Sequence, residues 1–171
     1  MRLFAAVRLP PVAQADAAAA VEQVRASCAG PRWVPPERWH LTLAFYGEVA
    51  DREVDGLVSR MQQKLRGVHE MSLALAGAGA FSRRALWLGV TGDVVPLRAM
   101  AGDLATERRH YRPHLTVARL RGDVDAGPAV EALSSYAGPV WQAAAVHLVR
   151  SHLGPAPSYE DIATWPLPPR P

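Results

Sequence analysis

The sequence predicts an α+β fold built from two like lobes that face a shared cleft, and three observations carry that prediction. Strand-like and helix-like stretches alternate at short spacing through all 171 residues, with no long linker between them. Apolar residues make up 49% of the chain, enough for one substantial core. The segment His40-Leu41-Thr42-Leu43-Ala44 returns 74 residues later as His114-Leu115-Thr116-Val117-Ala118, and each copy sits in a similar order of strand, helix and two strands, which signals a duplication. The second copy runs short of chain, so the N-terminal strand and helix are expected to complete it. One lobe is then about residues 29–108 and the other about 1–28 plus 109–171, interleaved as a single domain.

The elements follow from local signals. Residues 2–9 read as a short apolar strand ended by Pro10-Pro11, which open a helix to about Ser27, with Gly30 beyond its end. Residues 39–46 alternate as a strand closed by Gly47, and Asp51 is placed to cap a helix running to about Arg66. Residues 70–77 and 85–91 read as two strands joined by a turn near Ser82-Arg83. A helix from about Pro96 to Arg108, a strand over 113–119 and a short helix over 128–136 follow. Strands near 140–152 and 159–165 finish the fold, and the proline-rich end reads as a loose tail.

Composition narrows the function classes. The net charge of +3 and sequence pI near 9.5 permit a phosphate-bearing partner without demanding one. Lys64 is the only lysine, so nearly all positive charge is arginine, which suits forked recognition of phosphate. Cys28 is the only cysteine, which excludes an internal disulfide and any cysteine-based metal site. The N-terminus is too short and too interrupted for a signal peptide, and no apolar run approaches the ~20 residues that span a bilayer. A cytoplasmic, monomeric protein with no membrane partner is expected.

The repeat carries the chemistry. In a strand, residues i and i+2 share a face roughly 6.6 Å apart. His40 and Thr42 therefore share one face while Leu41 and Leu43 enter the core, and His114 and Thr116 do the same over Leu115 and Val117. Two such strands bring two imidazoles and two hydroxyls to one place. One imidazole can deprotonate an attacking water and the other can protonate a leaving oxygen, both near neutral pH. The hydroxyls can donate to non-bridging oxygens as charge gathers there. That set suits a cyclic phosphodiester, with no metal and no cofactor. Arg119 lies five residues beyond His114, where simple alternation puts it on the opposite face unless the strand bends. His110 and His114 stand at the spacing of a helical metal pair, but Pro113 between them argues against a helix. His69, His147 and His152 lack motif support. The run from Arg108 to Arg112 reads either as a solvated loop or as a rim attracting phosphates. Phe45 and Tyr46 are placed to stack on a base.

These residues also carry a resemblance. The segment from Trp33 to Glu37 and that from His40 to Val49, with Arg2-Leu3-Phe4, residues 85–90, residues 112–119, Ser151, Leu153 and Tyr159, resemble the 2H phosphoesterases over nearly the whole chain. The nearest branch is the RNA 2′,3′-cyclic phosphodiesterases, historically called 2′-5′ RNA ligases. The resemblance implies two antiparallel sheets flanking a central cleft with helices outside. It implies His40 and His114 as catalytic residues, His114 the base and His40 the acid, although the near-symmetry of the sequence gives no independent assignment. It implies Thr42, Thr116 and Arg119 as phosphate binders, Phe45 as an aromatic against the terminal base, and hydrolysis of an RNA 2′,3′-cyclic phosphate end to a 2′-phosphate. Reversible 2′-5′ ligation of tRNA fragments belongs to the same branch. Trp39 and Tyr46 depart from the common leucines beside the site. Two rival expectations are a phosphodiesterase of small cyclic nucleotides or cyclic ADP-ribose phosphate, and an RNA-binding module without catalysis.

Overall fold

Alternation of apolar and polar residues builds the strands, and the stripes of small and branched apolar residues on the helices cover one side of them. The computed structural model describes residues 1–81, 84–107, 110–154 and 157–171. Its elements are β1 (Arg2–Arg8), α1 (Pro11–Arg25), β2 (Arg32–Trp33), a 3₁₀ turn (Pro36–Arg38), β3 (His40–Glu48), α2 (Asp51–Lys64), β4 (Met71–Phe81), β5 (Ala85–Gly92), α3 (Val94–Leu104), β6 (His114–Arg119), α4 (Gly127–Leu133), β7 (Trp141–Ala143), β8 (Ala145–His152) and β9 (Ser158–Pro166). The expected turn at Ser82-Arg83, and Arg108-Arg109 of the basic run, lie outside the described residues.

Pro11 stands at the first turn of α1, where its missing N–H costs nothing, and Ala13, Ala17, Val21 and Val24 form the buried stripe. Asp51 is the first residue of α2 rather than its cap; the cap is Ala50, whose N–H donates to Glu53 Oε2 at 3.3 Å. The α3 helix starts two residues before the expected Pro96, because a proline in the first turn lacks only an N–H that has no helical acceptor there. Its end at Leu104 comes earlier than expected, since Ala105 is already extended.

The strands pair antiparallel in the order β7-β4-β5-β6-β3-β1-β8-β9, with β2 added beside β6. This order is symmetric about the β6–β3 boundary, where a single register pair, Leu41 with Leu115, joins the two halves. The two sheets implied by the resemblance are thus halves of one continuous sheet, paired to each other at that seam among the described residues. The halves do not follow the chain segments 29–108 and 1–28 plus 109–171. One half is β1, β3, β8 and β9, and the other is β4, β5, β6 and β7. The reason is an exchange: β1, β3 and β4 form the first repeat and β5, β6 and β8 the second, and the last strand of each pairs with the first strand of the other.

The expected single strand over 140–152 is two strands in different halves, separated by Ala144 alone, so the sheet curls until its β7 edge reaches β8. The expected loose tail is pinned. Leu167 is buried and donates its N–H to Ala144 O at 2.8 Å, Glu70 N–H reaches Pro168 O at 2.9 Å, and Arg170 pairs with Asp93 at 2.8 Å.

Helix α3 packs on β3 and reaches β4, with α2 against α3, while α1 and α4 pack on β4 and on each other. They join Leu41, Leu43, Leu73, Leu88, Leu115 and Val117 in one core. The opposite face of the central strands is left for the cleft. Leu41 and Leu115 are both fully buried at the seam, so truncating either opens a cavity between the halves. Leu41→Ala and Leu115→Ala are each expected to cost about 2–5 kcal/mol of unfolding free energy. A urea denaturation midpoint unchanged in both would show that the seam does not hold the halves together.

Candidate active site

The seam fixes the site. Carrying the Leu41–Leu115 register one residue either way sets His40 opposite Thr116 and Thr42 opposite His114. All four side chains line one cleft of about 200 Å³, together with Arg32, Arg38, Arg119, Arg121, Trp33 and Tyr159. The structure therefore brings His40, His114, Thr42, Thr116 and Arg119 together. Among the described residues no carboxylate lines this cleft while four arginines do, so its field is positive. No protein group among the described residues hydrogen-bonds the Thr42 or Thr116 hydroxyl, which leaves both for a bound molecule.

Each imidazole is held in the same way. His40 Nδ1 lies 2.9 Å from Arg38 O, and His114 Nδ1 lies 2.8 Å from Arg112 O. A carbonyl only accepts, so each Nδ1 carries the hydrogen and each neutral ring keeps a lone pair on Nε2. Aromatic rings brace both. Phe4 and Tyr159 have centroids 4.8 and 5.2 Å from that of His40, while Phe81 and Trp87 lie 4.8 and 6.4 Å from that of His114. Arg38 lies over Tyr159 at 5.7 Å and Arg112 over Trp87 at 4.5 Å, placing a guanidinium two residues before each histidine.

The two rings are not electrostatically equal. Burial, with the nearby guanidinium groups of Arg8, Arg119 and Arg38, pushes the His40 pKa down to about 4, against the opposing pull of the Arg38 carbonyl bond. His114 is also lowered, first by burial and then by Arg119 and Arg112. The pairing explains part of the difference. Arg8 stands opposite His40 across β1–β3, whereas Gly89 stands opposite His114 across β5–β6. A Cβ at Gly89 would come 2.6 Å from Ala76 O, so that position admits no side chain without a shift.

The bend needed for Arg119 is a β-bulge. Against β5, Trp87 pairs with Thr116 and Leu86 with Ala118, so Val117 is the extra residue and the alternation resets. Ala85 then faces Arg119, on the same side as Trp87 and Thr116. A matching bulge at Leu43 resets β3, with Ala6 opposite Thr42 and Ala5 opposite Ala44, and puts Phe45 opposite Phe4 on the cleft side. Phe45 and Arg119 are equivalent positions of the two repeats. Phe45 does not line the cleft around the histidines. It is half-exposed, at 52%, in an adjoining groove of about 1180 Å³ that shares Thr42 and His114 with the cleft and includes Tyr46, Phe81, His110 and Tyr111. Arg2 lies 4.9 Å over its ring.

His147 sits apart from the histidine pair, with Nδ1 3.1 Å from Asp161 and 3.2 Å from the Thr164 hydroxyl, and His152 contacts Glu160 at 2.8 Å. Sequence reasoning did not select Arg38, Tyr159, Phe81, Arg32 or Arg121 for the site. One signal was present: the repeat extends upstream as Arg-x-His at both Arg38 and Arg112.

Comparison with known proteins gives the family. Residues 7–87 match the family described as LigT like Phosphoesterase. An RNA 2′,3′-cyclic phosphodiesterase of Thermus thermophilus is 30% identical over 185 residues, covering 98% of this chain and 90% of that protein. One of Geobacillus stearothermophilus is 33% identical over 151 residues, 79% of this chain and 47% of that protein, so the alignment spans about half its length. The structure of E. coli LigT complexed with ATP aligns with a TM-score of 0.73 at 27% identity, covering 98% of this chain and 97% of that one. Fold and relatives together define a phosphoesterase, a hydrolase of phosphate esters. The chain belongs to the LigT like phosphoesterase family.

Proposed function

We propose that this protein hydrolyses the terminal 2′,3′-cyclic phosphate of an RNA to a 2′-phosphate, using His40 and His114 as its acid/base pair without a metal or cofactor. The observation that carries this is the matched pair of imidazoles, each with Nδ1 tied to a carbonyl and Nε2 left to one arginine-lined cleft. Water attacks phosphorus as His114 Nε2 takes its proton, the bond from phosphorus to the 3′-oxygen breaks, and His40 Nε2 delivers a proton to that oxygen. The product is a 2′-phosphate beside a free 3′-hydroxyl, and the two histidines have exchanged protonation states. Thr42, Thr116 and Arg119 donate to the non-bridging oxygens, where negative charge grows in the transition state. Phe45 offers its face to the terminal base from the adjoining groove.

The assignment of His114 as base and His40 as acid follows the family resemblance, since burial and neighbouring guanidinium groups lower both rings. With the 5′-hydroxyl of a second RNA in place of water, the same steps form a 2′-5′ linkage reversibly, with tRNA fragments as the RNA class. The reading places this enzyme in the cytoplasm, acting as a monomer, since both motif strands come from one chain.

Incubation with an RNA ending in a 2′,3′-cyclic phosphate, in excess EDTA, tests the reading. The expected product is a 2′-phosphomonoester, formed at the same rate with and without chelator. A 3′-phosphate product would reverse the leaving group and the assigned geometry. Loss of activity in EDTA, restored by a divalent cation, would overturn the metal-free mechanism.

A further inference from the structure

The cleft holds more positive charge than one cyclic phosphate monoanion needs. Arg32, Arg38, Arg119 and Arg121 all line it, and no ion pair with a carboxylate neutralises any of them among the described residues. The guanidinium groups that bear on the two imidazoles are those of Arg8, Arg38, Arg112 and Arg119. Arg32 and Arg121 share the cleft without bearing on either ring.

Their placement has a local cost. Arg32 of β2 is the register partner of Arg119 of β6, and like charges directly opposite in a sheet repel. Arg121 follows two residues after Arg119, just past the end of β6. Three exposed arginines thus line the cleft beside the β2–β6 pairing, and that pairing, continued by the Val34 N–H bond to Val117 O at 2.8 Å, fixes the backbone of Arg32 in place. Such a cluster is stabilised by an anion it can share.

We infer that Arg32 and Arg121 form a second phosphate subsite, which binds the 5′-phosphate of the nucleotide whose cyclic phosphate lies between the histidines. The inference rests on the proposed nucleotide substrate and names a further feature of it: a ribose with phosphate on both sides. That second phosphate has two sources, the internucleotide diester of an RNA or the 5′-phosphate of a small nucleotide, and the same arginines read either.

The test compares ligands that differ only in the 5′-phosphate. Affinity is measured by calorimetry for adenosine 2′-monophosphate and adenosine 2′,5′-bisphosphate, in the wild type and in Arg32→Gln and Arg121→Gln. The 5′-phosphate is expected to tighten wild-type binding by about tenfold or more, and each substitution is expected to bring that ratio close to one. Both side chains are exposed, so the variants fold, and a ratio within one protein is independent of any uniform loss. Turnover of adenosine 2′,3′-cyclic phosphate, its 5′-phosphorylated form and an ApA dinucleotide ending in a cyclic phosphate forms the second arm. A preference for the dinucleotide alone identifies the RNA diester as source, and equal preference identifies the 5′-phosphate in general. Equal binding of the two adenosine phosphates by the wild type, or a ratio unchanged in both variants, overturns the subsite. Retained discrimination in binding with no turnover of any cyclic substrate leaves the subsite standing and removes the catalytic reading instead.

Discussion

Replacing His40 or His114 with alanine is expected to lower kcat on an RNA 2′,3′-cyclic phosphate end by about 10²–10⁴-fold in each case, the range of a single general acid or base. The proposed mechanism uses both proton transfers in one displacement, so the two losses should not multiply. Once either ring is gone the concerted step is gone, and the double variant should approach the slower single one. Each substitution removes a ring braced by two aromatics, Phe4 and Tyr159 or Phe81 and Trp87. His40→Asn and His114→Asn, which keep a polar group beside the Arg38 and Arg112 carbonyls, guard against a merely structural effect. Rapid-quench turnover and a thermal melt on all five variants check the claim. Wild-type rates in either histidine variant would end the two-histidine mechanism. Unchanged RNA binding in all of them, with no turnover by the wild type, would instead favour an RNA-binding module.

The parts of this molecule that were legible in its sequence are those governed by local periodicity and by repetition. The alternation in residues 39–46 and 113–119 sets imidazole and hydroxyl on one face and leucine or valine on the other, and the structure has that arrangement in β3 and β6. The duplication was legible because five residues recur almost unchanged. What was not legible depends on pairing between distant strands. The exchange of β4 and β8 leaves no local trace, since either strand fits a neighbour in its own repeat or in the other. The short β2 has two residues, too few for any periodic signal. The bulges at Val117 and Leu43 are invisible in an apolar run, because an extra residue in Leu-Thr-Val-Ala reads the same as a continued strand. That is why Arg119 was assigned to the site by resemblance while strand phase opposed it. The proline-rich end looked loose because proline lacks a donor, yet Pro168 and Leu167 bind through a carbonyl and a buried side chain.

Arg119 is where the electrostatics of the site are most exposed to test. Among the described residues it is the one guanidinium that bears on both imidazoles and also lines the cleft. In its assigned role it binds a non-bridging oxygen, and removing one such donor typically costs about 10²–10³-fold in kcat. Arg119→Ala should lose that much, and Arg119→Lys should recover only part of it, because an ammonium cannot reproduce a two-pronged contact. The same substitution should move the pH profile. In the free enzyme the reactive form has one histidine protonated and the other neutral. Both pKa values lie below the ordinary 6.5, so the fraction in that form peaks on the acid side and kcat/KM falls as pH rises above 6.5. Arg119 disfavours the protonated form of both rings. Its removal raises both pKa values, and the kcat/KM optimum should shift to higher pH in Arg119→Ala while staying near the wild-type position in Arg119→Lys. A variant that loses activity with its pH optimum unmoved would place the Arg119 charge away from the histidine pair, and would make the Val117 bulge a feature of packing and not of catalysis.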